Sequence, residues 1–182
     1  SVSEISNQIL NRIQQFHVSY PTASIRLLCD QLNERLRSCI SNQSQNSELL
    51  QRTLSVSDLG THNIISLGSV YNFIDFEFFG LDNPVHLISD TIAHPANNLN
   101  LHEQSILYKK FLNCHNNQDE ISNAFNGHNL IFDIKWCLIM LNPFLSNYVL
   151  NYNEEERELK KKLQLEKVNM KISVIEQKMQ ND

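Results

Sequence analysis

Histidine spacing is the first place where this sequence could do chemistry. His102-Glu103 begins as a zinc-protease helix would, but the second histidine must stand four residues after the first to share its helix face, and that position is Ile106. His86, His94 and His102 recur at even steps, yet Pro95 separates two helices between them, so they read as helix-end residues and not as a ligand set. Cys114-His115 with His128 lacks the paired knuckle of a zinc site. Gly60, Gly68, Gly80 and Gly127 each stand alone, which excludes a P-loop, a dinucleotide fingerprint and a nucleophile elbow. The expectation is a non-enzyme with no catalytic set, no metal site and no cofactor.

Carboxylates supply the remaining candidates. Asp75 and Glu77 lie within the aromatic run Phe73–Phe79, where burial would raise a carboxyl pKa. On a helix, residues two apart point in different directions, so the pair reads as exposed acids. Asp133 and Lys135 interrupt the most apolar stretch, Leu130–Leu141, and read as its solvated edge because an unpaired buried charge is costly. Lys160-Lys161-Lys162 is offset by Glu154, Glu155, Glu156 and Glu158, and reads as a solvated helix face. The alternative to a non-enzyme is a helical enzyme or small-ligand-binding domain with an aromatic pocket lined by Tyr71, Phe73, Phe76 and Trp136.

The elements that must position these residues are helical by their spacing. Ile5, Ile9, Ile13 and Phe16 mark one stripe over residues 4–18, and Ile25, Leu28, Leu32, Leu36 and Ile40 mark the next. Ser47 is expected to cap a short helix reaching about Leu54. Residues 64–79 fit a helix through Ile64, Leu67, Tyr71, Ile74 and Phe78, although Ile74–Phe78 alternates as a half-buried strand does. Helix is preferred because no second strand-like run offers itself for pairing. Asn83-Pro84 opens a helix that ends at His94-Pro95, and Asn100 with Glu103 resembles a capping box. Asp119 caps a short helix ending at Gly127, followed by a separate central helix over Leu130–Leu141 that Pro143 breaks.

The chain has 182 residues, 41% of them hydrophobic and 19% charged, enough for one sizeable core. Its net charge is −5, carried by residues 1–150, while residues 151–182 balance seven acids with seven bases. Neither part is the electropositive surface of a direct nucleic-acid or anionic-membrane binder. No apolar run reaches the roughly 20 residues that span a bilayer. Cys29, Cys39, Cys114 and Cys137 lie far apart without a CxxC, which reads as reduced thiols and an intracellular location in cytoplasm or nucleus.

From Asn153 the composition shifts to Glu, Lys, Leu and Gln with no Gly or Pro. Leu165, Val168, Ile172, Ile175 and Met179 follow the three-four steps of a heptad seam, and Leu159 and Leu163 start an offset stripe. The expected fold is therefore all-α: a compact multi-helix head over residues 1–150, followed by a projecting, coiled-coil-like amphipathic helix over 151–182. The expected function is a scaffold or interaction subunit. Its C-terminal helix meets a protein partner, or a second copy of itself, through Leu159, Leu163, Leu165, Val168, Ile172, Ile175 and Met179, giving a homo- or hetero-oligomer.

Overall fold

The computed structural model describes residues 2–19, 22–41, 50–56, 58–77, 79–145 and 153–181. The elements in chain order are α1 (Val2–Val18), α2 (Ala23–Ser41), β1 (Thr53–Ser55), a 3-10 turn (Thr61–Asn63), β2 (Ile64–Leu67), β3 (Val70–Phe73), β4 (Gly80–Asp82), α3 (Pro84–Ala93), α4 (Leu101–Leu112), α5 (Gln118–Met140), a second 3-10 turn (Asn142–Phe144) and α6 (Glu154–Asn181).

The all-α expectation is corrected by two small antiparallel sheets. Strand β1 pairs with β4, Leu54 opposite Leu81, and β2 pairs with β3, Ile64 opposite Phe73. The preferred helix over residues 64–79 is thus a hairpin. Gly68 is the first of its two loop residues and takes φ 64°, a conformation that two-residue hairpin loops demand and that glycine adopts without cost. The hairpin is hard to read in sequence because β3 is exposed on both faces, so no buried side enforces an alternation. Thr53–Ser55, expected to finish a helix, is strand, and Ser47 lies outside the described residues.

Helix starts follow local chemistry. Asn83 Oδ1 accepts the Val85 N–H at 2.9 Å ahead of Pro84 at the first turn of α3. At α4 both capping-box bonds form, Glu103 N to Asn100 Oδ1 at 3.0 Å and Asn100 N to Glu103 Oε2 at 2.8 Å. The same device starts α6 through Asn153 and Glu156. The two helices expected around Gly127 are one, α5. An interior glycine costs only about 1 kcal/mol relative to alanine, and buried Ala124, Phe125, Leu130 and Ile131 on either side hold the helix together.

Contacts divide the chain into two units. One, Gln43–Phe132, has a core of Val85, Ile88, Ile92, Ile121 and Phe125, with Tyr108 stacked on Phe125 at 4.1 Å between ring centroids. The other comprises Val2–Asn42 and Asp133–Asp182. Its buried residues include Ile9, Ile13 and Phe16 of α1, Cys29, Leu32 and Leu36 of α2, Cys137 and Leu138 of α5, and Val168, Ile172 and Ile175 of α6. Each leucine or isoleucine fully removed from water contributes about 1.5–3 kcal/mol. Asp133, expected at a solvated edge, is 2% exposed in this second unit and takes Lys171 Nζ at 2.8 Å and Lys178 Nζ at 2.7 Å. Two lysines supply the counter-charge that a buried carboxylate would otherwise lack. Among the described residues, no helix is long and apolar enough to cross a membrane.

Candidate functional site

In the unit Gln43–Phe132, the segment between β1 and β2 is pinned by backbone amides and by the turn that follows α3. Gly60 N donates to Asp58 Oδ1 at 3.1 Å, and Asn63 N closes the 3-10 turn on Gly60 O at 2.9 Å. Asn97, just past α3, donates from Nδ2 to Leu59 O at 3.0 Å and to Thr91 O at 2.8 Å, and accepts Thr61 N at 2.8 Å. Thr61 Oγ1 donates to Ala96 O at 2.6 Å. A surface loop that would otherwise sample many states is thereby fixed to a helix end.

Three side chains converge there. His94, 6% exposed, places Nε2 3.3 Å from Asp58 Oδ1, and the exposed His62 places its Nε2 3.8 Å from Asp58 Oδ2. The two imidazole centroids are 5.3 Å apart. Gly60 has no room for a side chain, because a Cβ there would overlap the His62 ring and lie 2.8 Å from His94 Cε1. Asn63, 5% exposed, donates from Nδ2 to Asp58 O at 3.4 Å, which leaves Oδ1 as the acceptor on the other arm of its amide. The β2–β3 pairing extends past Phe73, since Ile74 N donates to Asn63 O at 2.9 Å. The next residue, Asp75, is therefore delivered beside the Asp58–Asn63 loop, with φ 64°. A non-glycine residue at positive φ is uncommon and clusters at functional sites.

The site has two possible ligand sets. Asp58, His62 and His94 hold their ligand atoms within 4.8 Å of one another, a two-nitrogen, one-oxygen set that suits zinc. One hydrogen bond disfavours it. Ala96 N donates to His94 Nδ1 at 3.0 Å, so the neutral ring carries its proton on Nε2, the atom that would have to ligate. The second set, Asn63 Oδ1 and the exposed Asp75 carboxylate, is all oxygen and matches a hard divalent cation such as magnesium.

A second histidine pair lies in the same unit. His86 Nδ1 meets Asp82 Oδ1 at 3.2 Å, and this hydrogen bond holds the Asp82 carboxyl below the usual carboxylate range. His128 Nδ1 donates to Ala124 O at 2.6 Å, its ring centroid is 5.8 Å from that of His86, and burial pushes its pKa down to about 4.

The residues singled out by sequence are dispersed. Tyr71, Phe73 and Phe76 are exposed rather than lining an interior pocket, and Trp136 belongs to the other unit. Asp75 and Glu77 are both exposed. On α6, Val168, Ile172 and Ile175 are buried within the chain, Leu165 and Met179 are half-buried, and Leu159 and Leu163 are exposed at 58% and 48%. Cys29, Cys39 and Cys137 are buried and Cys114 exposed, all as free thiols, with burial pushing Cys29 and Cys137 up to about 12. The second unit also holds a cavity of about 280 Å³ lined by Gln8, Asn11, Arg12, Gln15, Lys135 and Ile139. It is smaller than the usual ligand pocket. Arg12 at its wall is engaged by Asn142 Oδ1 at 2.6 Å.

No known protein family and no curated protein matches the chain. A solved structure does: an ethanolamine kinase from Plasmodium vivax, 15% identical, with a TM-score of 0.61 over 94% of this chain and 50% of that one. The likeness is one of fold, and the chain spans about half the length of that protein. It corrects the expectation of a non-enzyme, which rested on finding no catalytic set, because the fold is one on which an enzyme is built. Asp58 and Asn63 escaped the sequence reading, and His94 was read there only as a helix-end residue. The signal was present: Asp58-Leu59 with Asn63 has the D-L-x-x-x-N spacing of a kinase catalytic loop, and Asp75-Phe76 follows as the metal-holding Asp-Phe pair does. No glycine-rich phosphate loop accompanies it in the sequence.

Proposed function

We propose that this chain contributes the catalytic base and metal-holding residues of a small-molecule kinase, which transfers the γ-phosphoryl group of a nucleoside triphosphate to the hydroxyl of a small amino alcohol. The observation that carries it is the meeting of Asp58, Asn63 and Asp75 at one loop and one strand end, at kinase spacing, on a fold shared with an ethanolamine kinase. Asp58 accepts the proton of the substrate hydroxyl as its oxygen attacks the γ-phosphorus. The bond from that phosphorus to the bridging oxygen breaks, and the nucleoside diphosphate leaves. Asn63 Oδ1 and the Asp75 carboxylate would hold magnesium. When bound, that ion neutralises the charge on the phosphates. The positive φ of Asp75 turns the chain immediately after the backbone bond from Ile74 to Asn63, which places residue 75 next to the strand end that carries Asn63.

The test is nucleoside diphosphate release with magnesium-ATP and a panel of ethanolamine, choline and related amino alcohols, alongside Asp58→Asn. The expected result is turnover that falls about 10²–10⁴-fold in the variant. A chain that turns over none of the panel, or an Asp58→Asn variant as active as the wild type, overturns the proposal.

A second reading concerns α6, where exposed Leu159, Leu163 and Met170 share one helix face. That stripe supports a protein partner, or a second copy of the chain, docking on the exposed face of α6. Light scattering tests it: assembly is expected to be lost with Leu159→Asp plus Leu163→Asp, and a monomeric wild type that captures no partner counts against it.

A further inference from the structure

Both ring nitrogens of His94 are committed. Its Nδ1 accepts the Ala96 amide, which can only donate, so the neutral ring must carry hydrogen on Nε2, 3.3 Å from Asp58 Oδ1. The ring cannot readily turn away. It is buried, its own backbone N–H closes α3 on Asp90 O at 2.9 Å, and the turn after it is tied to the Asp58–Thr61 segment through Asn97 and Thr61. Asp58 Oδ1 accepts the Gly60 amide at 3.1 Å, and the His94 ring nitrogen Nε2 stands 3.3 Å from the same oxygen. Among the described residues Oδ2 is met by the exposed His62 at 3.8 Å, beyond hydrogen-bonding distance.

We propose that His94 is a positioning residue for phosphoryl transfer: its Nε2–H occupies Oδ1 of Asp58 and so dedicates Oδ2 to the proton of the substrate hydroxyl. This role rests on the kinase reading of Asp58. A carboxylate with both oxygens unengaged can rotate about its terminal torsion. Here the Gly60 amide holds one oxygen and the fixed His94 nitrogen faces it, so the base meets the hydroxyl in a single orientation, which is the geometric requirement for general-base catalysis. Loss of the imidazole donor therefore lowers turnover and leaves substrate affinity nearly unchanged, since His94 touches the base and not the substrate.

The experiment compares wild type, His94→Phe and His94→Gln, with ring nitrogen NMR of histidine-labelled wild type at pH 8. Expected is a His94 signal with Nε2 protonated and Nδ1 bare. For His94→Phe, kcat should fall about 10–100-fold, the range found for outer-shell partners of active groups, with KM within about threefold. His94→Gln, whose amide can still donate to Oδ1, should recover most of the loss. The opposite tautomer, a folded His94→Phe with unchanged kcat, a fall confined to KM, or a glutamine variant no better than phenylalanine would each overturn the proposal. If His94→Phe does not fold, the tautomer and the glutamine variant still decide. Turnover that depends on Asp58 but not on His94 removes this role alone. A wild type with no turnover removes the kinase reading and this role together.

Discussion

Asp133, near the middle of α5, meets Lys178, close to the end of α6, at 2.7 Å with its carboxylate 2% exposed. Lys171, two helical turns earlier, takes the other oxygen at 2.8 Å. This triad holds α6 to the α5 end of its unit by charge as well as by the buried Val168, Ile172 and Ile175.

Replacing both lysines, Lys171→Met with Lys178→Met, leaves a buried carboxylate without a counter-charge. The expected loss is about 3–5 kcal/mol of unfolding free energy, measured by urea denaturation. Adding Asp133→Leu should return most of it, because an apolar replacement of the whole set is close to neutral. A double variant within about 0.5 kcal/mol of wild type would show that the pairing contributes nothing.

Acid should destabilise the chain through His128. Its folded pKa of about 4 lies below the unfolded value of about 6.5, so the unfolded state binds the proton first. Stability is then complete above pH 6.5 and falls as pH drops from there to 4, by at most about 3 kcal/mol. The lowered Asp82 carboxyl adds a loss of the same sign as pH falls further, through its own folded pKa. In thermal melts across that range, His128→Gln should flatten the upper part of the slope. An unchanged slope would mean that the ring is not held neutral.

Gly60→Ala tests how closely the two imidazoles crowd the loop. The backbone of Gly60 is extended and unstrained, so the effect is purely one of space. The exposed His62 can swing aside, but the buried His94 cannot, and its Cε1 would lie 2.8 Å from the new methyl. Expected are a loss of about 1–3 kcal/mol, typical of overpacking, and a fall in turnover larger than that stability change explains. Turnover and melting temperature equal to wild type would show the loop to be more accommodating than its contacts imply.

What the sequence made legible is local. The stripe of α1, the Asn83 cap and the Asn100–Glu103 box all depend on neighbours within a turn or two, and each is found where its spacing puts it. The α2 stripe is buried at Ile25, Leu32 and Leu36 but shifts to Cys29 and Cys39 in place of Leu28 and Ile40. What escaped is relational. Strands β1 and β4 are three residues each and find one another across the β2–β3 hairpin, so neither looks like a strand alone. Asp133 reads as solvated until Lys171 and Lys178 arrive from α6. Likewise Asp58 is one of many acids until the chain returns with Asn63, Asp75 and His94. The spacing of Asp58 and Asn63 was a local signal, and recognising it required a pattern that contains no glycine-rich loop.

The ties from Asn97 and Thr61 join residues 35 to 38 positions apart in sequence. The Asp58 loop has bonds of its own, but its long-range fixed points are supplied by the far end of α3. Closing the loop onto that helix end carries the entropic expense of ordering a long intervening segment. In the folded chain the dependence runs the same way. Fraying of the last turn of α3 would release Asn97 and His94 together, so the loop and the Asp58 carboxylate would loosen as one cooperative unit while the apolar core stayed closed.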